Sequence, residues 1–108
     1  AVAYWDQRIA GSASGNADPA LLTYPQFAED LEMAVRLLKQ QYPAAKIFLL
    51  GHSFGVEMGW QFLTTGNNQD LVNGFIALDG TYSTYHWLQR VREWAIREAR
   101  AQNDGAAW

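Results

Sequence analysis

The sequence predicts an α/β fold organised around a parallel sheet. Three observations carry that prediction. Segments of strand type alternate with segments of helical periodicity, in the order strand, helix, strand, helix, strand, helix. The run at residues 47–50 is apolar without alternation, as in a strand buried on both faces between helices. The stretch Gly51-His52-Ser53-Phe54-Gly55 falls where that strand hands over to a helix.

The elements follow in chain order. Residues 1–5, AVAYW, read as a short buried strand that runs into the polar turn DQR. Residues 9–22, IAGSASGNADPALL, are rich in Gly, Ser, Ala and Asn and read as a loop. A helix begins at Thr23. Thr23 and Gln26 have capping-box spacing, and Pro25 is tolerated in a first turn, where its missing N–H is not needed. Phe27, Leu31, Val35 and Leu38 recur every three or four residues and mark the face that packs on a core. Pro43 disfavours helical geometry at Tyr42, so the helix fades there.

Residues 47–50 form the second strand, and residues 54–63 read as helix with TTGNNQD as its stop. Residues 75–78 make a third apolar strand ending at Asp79-Gly80. A last helix spans residues 84–102. It carries Leu88, Val91, Ala95 and Ala99 on one stripe, with Arg90, Arg92, Glu93, Arg97 and Glu98 mostly off it. The tail NDGAAW reads as frayed.

Composition bounds the function. The chain has 108 residues, 49% of them apolar and five of them Trp, which suits one globular domain with a real core. Eight basic residues against eleven acidic ones give a net charge of -3 without a basic stripe, which argues against a nucleic-acid surface. The absence of cysteine excludes disulfides, zinc–thiolate sites and a Cys nucleophile, and leaves the compartment open. No apolar run approaches the ~18 residues of a membrane span. No cofactor and no metal are expected. The chain opens at AVAYWD in the middle of a strand-like stretch, so the start of the gene product is expected upstream.

Gly-x-Ser-x-Gly gains meaning from the strand before it and the helix after it. A serine on so tight a turn takes strained backbone angles and projects its hydroxyl above the sheet edge. Gly51 and Gly55 lack β-carbons, which lets strand and helix approach closely around it. Gly59 falls one helical turn after Gly55. A mid-helix glycine costs ~1 kcal/mol against Ala, a cost that a close helix–sheet contact would justify. The helix start places the N–H of Phe54 where a tetrahedral oxyanion would develop. A dinucleotide-binding turn is the competing reading, but G-x-G-x-x-G is not present after the strand.

With YWDQR, a Gly/Ser loop, LTYPQFAEDLE, IFLLGHSFG and VNGFIALDG in that order, the sequence resembles the α/β-hydrolase superfamily, and within it the proline-iminopeptidase-like branch. The resemblance implies that Ser53 is the nucleophile and that Phe54 supplies one oxyanion N–H. It departs from that branch at three places: Phe54 stands where Trp is common, Val56 where Gly is common, and Ile9 where DQRG has its Gly. The chain order implied by the resemblance is Ser, then Asp or Glu, then His. The segments that bear the usual acid and base, and the loop with the second oxyanion donor, have no counterpart in the sequence. Some lipase relatives carry the acid where Asp79 stands, so Asp79 is a candidate acid. Its other reading is a strand-end Asp binding backbone N–H groups.

His52 adjoins Ser53, and its side chain should point away from the hydroxyl, into packing or a local hydrogen bond. His86 begins the last helix among Tyr82, Tyr85 and Trp87, in the region the resemblance assigns to a cap, where a pocket or surface role outweighs that of catalytic base. Asp6 and Arg8 are expected to pair and hold their loop. In the family order another strand separates AVAYW from KIFLL. Residues 1–108 are therefore expected to be the central part of one hydrolase domain, with 1–80 as sheet core and 81–108 as the start of the cap. Remaining segments of the same hydrolase would complete the sheet. The expected function is serine hydrolysis of an ester, amide or short peptide through an acyl-enzyme on Ser53, with this stretch inactive alone. A non-catalytic binding domain, towards which Ile9 and Val56 point, and an acyltransferase of the same fold are the alternatives.

Overall fold

The computed structural model describes residues 1–13 and 18–102. Residues 14–17 of the expected loop and residues 103–108 of the expected frayed tail lie outside the described residues.

Local chemistry sets the element boundaries. Thr23 caps helix α1 (Tyr24–Gln41), its Oγ1 accepting the Gln26 N–H at 3.3 Å. The capping box is half made, because Gln26 Nε2 donates to Glu29 Oε2 (3.2 Å) and Asp30 Oδ1 (3.3 Å) rather than returning to Thr23. At the far end the Tyr42 N–H donates to Leu38 O at 2.8 Å. A 3₁₀ turn at Pro19–Leu21, capped by Asp18, lies within the stretch read as loop. Strands β1 (Phe48–His52) and β2 (Gly74–Leu78) pair in parallel, with Phe48 opposite Gly74 and His52 opposite Leu78. Helix α2 (Phe54–Thr64) and a 3₁₀ turn at Asn68–Leu71 connect them. Asn73 pins the open end of the ladder: its N–H donates to Ile47 O (2.6 Å), and its Oδ1 accepts the Ile47 N–H (2.9 Å).

Helix α2 packs on one face of the strand pair, and α1 packs on α2. Ala28, Val35 and Phe62 form the buried core, flanked by Leu31, Ile47, Leu49, Leu63, Leu71 and Val72. The periodic face of α1 thus packs as expected. The buried Asn68 is satisfied by donating Nδ2–H to Glu32 Oε2 at 3.1 Å.

The expected three-stranded α/β-hydrolase core is not what the structure holds. Among the described residues there are three α-helices, two 3₁₀ turns and one open sheet of two parallel strands. Residues 1–5 form no strand. A strand is held by ladder bonds to a neighbour, and among the described residues this segment has none. Tyr4 is 96% exposed. Nor is β1 buried on both faces: Leu49 faces the core, while Phe48 and Leu50 on the other face are 60% and 63% exposed.

The last helix, α3 (Thr84–Ala101), is capped by Ser83, whose Oγ accepts the His86 N–H at 3.4 Å. It buries none of its residues, and the stripe through Leu88 and Val91 stays exposed. The molecule is accordingly elongated, 60 × 30 × 26 Å with a radius of gyration of 18.0 Å. A compact domain of this length has a radius near ~13 Å.

Two glycines bring α2 down onto the strands. A β-carbon on Gly51 would lie 2.5 Å from Gly55 O and 2.9 Å from Val56 N, both backbone atoms. One on Gly59 would run into the Phe75 ring, the close helix–sheet contact expected of that residue. Gly55 is a correction: nothing lies within 4 Å of where its β-carbon would be, so the close approach does not need it.

The expected Asp6–Arg8 pair does not form. Arg8 instead reaches α1 and grips Asp30 with both prongs of its fork, Nε to Oδ2 at 2.6 Å and Nη2 to Oδ1 at 2.7 Å. Asp6 Oδ2 accepts the Ser12 N–H at 2.7 Å. A turn closed by Ala10 N–H to Gln7 O (3.0 Å) separates the two carboxylate contacts. Within it Ile9 sits at φ 59°, a conformation open to glycine and costly for a β-branched residue. The bidentate bond to Arg8 holds the Asp30 carboxyl below its ordinary range.

Two predictions follow from these contacts. Gly51→Ala should lower stability by roughly 1–3 kcal/mol, whereas Gly55→Ala should be neutral or stabilising by up to ~1 kcal/mol, both read from urea unfolding midpoints. The Arg8–Asp30 contribution is present above the unfolded carboxyl value of ~3.9 and is lost as pH falls through the depressed native value. The gap in urea midpoint between wild type and Arg8→Gln should therefore be full at pH ~7 and close as pH drops below ~4.

Candidate active site

Ser53 occupies the single residue between β1 and α2. It takes φ 52° and ψ -117°, a conformation that costs a non-glycine residue roughly 1–3 kcal/mol. Three contacts hold it there. The Ser53 N–H donates to Leu78 O at 3.0 Å, extending the ladder one step past the strands. Ser53 O accepts the Val56 N–H at 2.9 Å. Gly80 lies so close on the other side that a β-carbon there would sit 2.7 Å from Ser53 O. The strained, outward-facing serine read from the sequence is thus in place, with a backbone clamped from two directions.

The side chain is left unused by the fold. Ser53 is exposed, its hydroxyl does not cap α2, and Oγ has no hydrogen bond among the described residues. Phe54 opens α2, and its backbone N–H has no acceptor among the described residues. Its ring packs edge-on against Phe27 (centroids 5.5 Å apart) and tilted against Tyr24 (5.6 Å), which fixes the first turn of the helix. The free donor and the free hydroxyl are neighbours at a positive helix end.

An open cleft of about 410 Å³ lies beside the turn. One wall comes from Leu50, Phe54 and Met58, and the other from Trp5, Asp6 and Gln7. The N-terminal segment that was expected to be a strand is therefore a wall of the cleft that contains Ser53.

Asp79 follows Leu78 directly, one step along from the residue that accepts the Ser53 N–H. It too has positive φ, 48°. Its carboxylate makes no hydrogen bond among the described residues, so it does not bind strand-end N–H groups. Ser53, Phe54 and Asp79 are brought to one edge of the strand pair. The histidines are not brought to Ser53. His52 lies exposed on the sheet face that also carries Phe48 and Leu50, and it makes no hydrogen bond among the described residues. His86 Nδ1 lies 2.9 Å from Ser83 Oγ, and its ring meets that of Tyr85 edge-on at 5.6 Å.

Sequence reading missed Glu57. Its Oε2 accepts the Tyr24 hydroxyl and Thr84 Oγ1–H, the latter at 2.8 Å, tying α1, α2 and the start of α3 together. The available signal was a stripe of Glu57, Trp60, Gln61 and Thr64 at helical spacing, off the core face of α2. Among the described residues no group of three or more His, Asp or Glu is placed to hold a metal ion. No helix among them is long and apolar enough to cross a membrane.

Backbone strain at Ser53 is open to direct measurement. Ser53→Gly should be more stable than Ser53→Ala by about 1–2 kcal/mol in urea unfolding, since glycine relieves the strain and alanine retains it.

In comparison with known proteins, the chain matches no family model, no curated protein and no solved structure.

Proposed function

We propose that Ser53 is the nucleophile of a serine hydrolase acting on esters, amides or short peptides. The observation that carries the proposal is the strained serine itself. A residue at φ 52° with an exposed, unbonded hydroxyl contributes nothing to the packing of the turn, yet its backbone is clamped in place. Strain of this kind concentrates at functional sites.

The chemistry runs in two steps. Ser53 Oγ attacks the acyl carbonyl carbon as a general base removes its proton. Negative charge develops on the carbonyl oxygen and is met by the Phe54 N–H, a donor that needs no reorientation. The tetrahedral species collapses, the leaving alcohol or amine takes the proton from the base, and an acyl-Ser53 ester remains. Water, activated by the same base, then releases the acid and restores Ser53. Neither His52 nor His86, the two histidines of the sequence, is hydrogen-bonded to Ser53, so in this proposal the base is a histidine outside residues 1–108. Asp79, at the same edge, is the candidate for the acid that orients it. The cleft walled by Trp5, Leu50, Phe54 and Met58 would receive an apolar acyl or leaving group. An acyltransferase would follow the same path with another nucleophile in place of water.

The lack of a hydrogen-bonded base favours one rival, a binding domain that keeps the turn without the reaction. A fluorophosphonate probe on the full-length gene product separates the two. Labelling at Ser53, located by peptide mass spectrometry and abolished in Ser53→Ala, is expected. Labelling at another serine, or none, would reject the nucleophile assignment.

A further inference from the structure

A second cleft, of about 580 Å³, runs between α1, α2 and the start of α3. It is lined by the Glu57–Trp60–Gln61–Thr64 stripe of α2, with Tyr24 on one side and Tyr82 and Thr84 on the other. None of these residues lines the cleft beside Ser53.

The charge in this cleft is unbalanced. Both groups bonded to Glu57 are neutral hydroxyls, and both reach the same oxygen, Oε2. Oε1 accepts nothing among the described residues. The ion pairs among those residues join Arg8 to Asp30 and Arg36 to Glu32, and none reaches Glu57. The bond to Glu57 raises the Tyr24 phenol above its ordinary value, so the phenol stays a donor. A carboxylate with one oxygen committed and one free, walled by three aromatic side chains, is complementary to an organic cation.

The geometry narrows the class. A guanidinium is best held by two parallel bonds to both carboxylate oxygens, and Oε2 already accepts two. A divalent metal needs several oxygen ligands, and no such group is assembled among the described residues. An ammonium needs one acceptor for an N–H and aromatic faces for its charge. We infer that this cleft binds an alkylammonium head group, with Glu57 as the counter-charge and Trp60, Tyr24 and Tyr82 as the walls around it. The inference does not rest on the reactivity of Ser53. The rival is that Glu57, Tyr24 and Thr84 are only a tie holding the start of α3.

The probes are n-butylammonium and its neutral near-isostere butan-1-ol, titrated into the ¹⁵N-labelled chain. The readouts are the Trp60 indole N–H and the Thr84 amide. Saturable shifts with the ammonium alone are expected. Glu57→Gln, which keeps an acceptor for both hydroxyls but removes the charge, should weaken binding at least ~tenfold. Tyr82→Ala, at a residue 79% exposed and outside the core, should weaken it roughly threefold. Equal midpoints for ammonium and alcohol on the wild-type chain, or an unchanged midpoint in Glu57→Gln, would overturn the inference and leave the tie. Ser53 labelling is read independently, so failure here does not bear on the nucleophile.

Discussion

The bond from the Ser53 N–H to Leu78 O is the constraint on which the rest depends. It carries the β1–β2 ladder one residue past the strands and fixes where the chain must turn. Because Leu78 holds Ser53 from the strand side and Val56 holds it from the helix side, the backbone has no freedom to relax its positive φ. Gly51 allows the first turn of α2 to sit directly on the strand, and Gly80 allows the chain after β2 to pass against the same turn. Strain, close approach and an unused hydroxyl are consequences of one crowded junction.

The Arg8–Asp30 pair gives that junction its surroundings. Residues 1–7 pair with no strand among the described residues, and the fork of Arg8 on α1 together with the Asp6–Ser12 bond anchors the chain at their end. Through that fork α1 helps set the wall formed by Trp5, Asp6 and Gln7. The same helix supplies Tyr24, which touches both Phe54 at the start of α2 and Glu57 one turn later. One side chain thus borders the Ser53 turn through Phe54 on one hand and the second cleft on the other.

The parts of the fold that were legible in the sequence are those set by local rules. Thr23 and Pro25 mark the start of α1 because capping acts within four residues, and Phe27, Leu31 and Val35 declare its inner face by spacing alone. The strained turn was legible because glycines at 51 and 59 are needed by contacts close in sequence or across one strand. Gly55 misled, since its place in the motif suggested crowding that its open side does not have. AVAYW has strand composition, but composition does not supply the neighbour that a strand requires. Arg8 paired with Asp30, 22 residues away, rather than with Asp6 nearby, and such a choice depends on how α1 is placed. Glu57 escaped notice for the same reason: Tyr24 and Thr84 lie 33 and 27 residues from it.

The unburied α3 has a consequence of its own. At 18 residues it is about 27 Å long, and none of its residues is fully buried, with only Ile96, Glu98 and Ala99 half-buried. Helices in proteins draw most of their stability from tertiary packing of one face rather than from propensity. The Thr84 bond to Glu57 ties its start to α2, and the Ser83 cap and intrinsic propensities add to its stability. With so little of its surface buried, α3 belongs to the low-stability end of the structure, below the α1–α2–strand core. The start of α3, where Thr84 meets Glu57, is the border between the two.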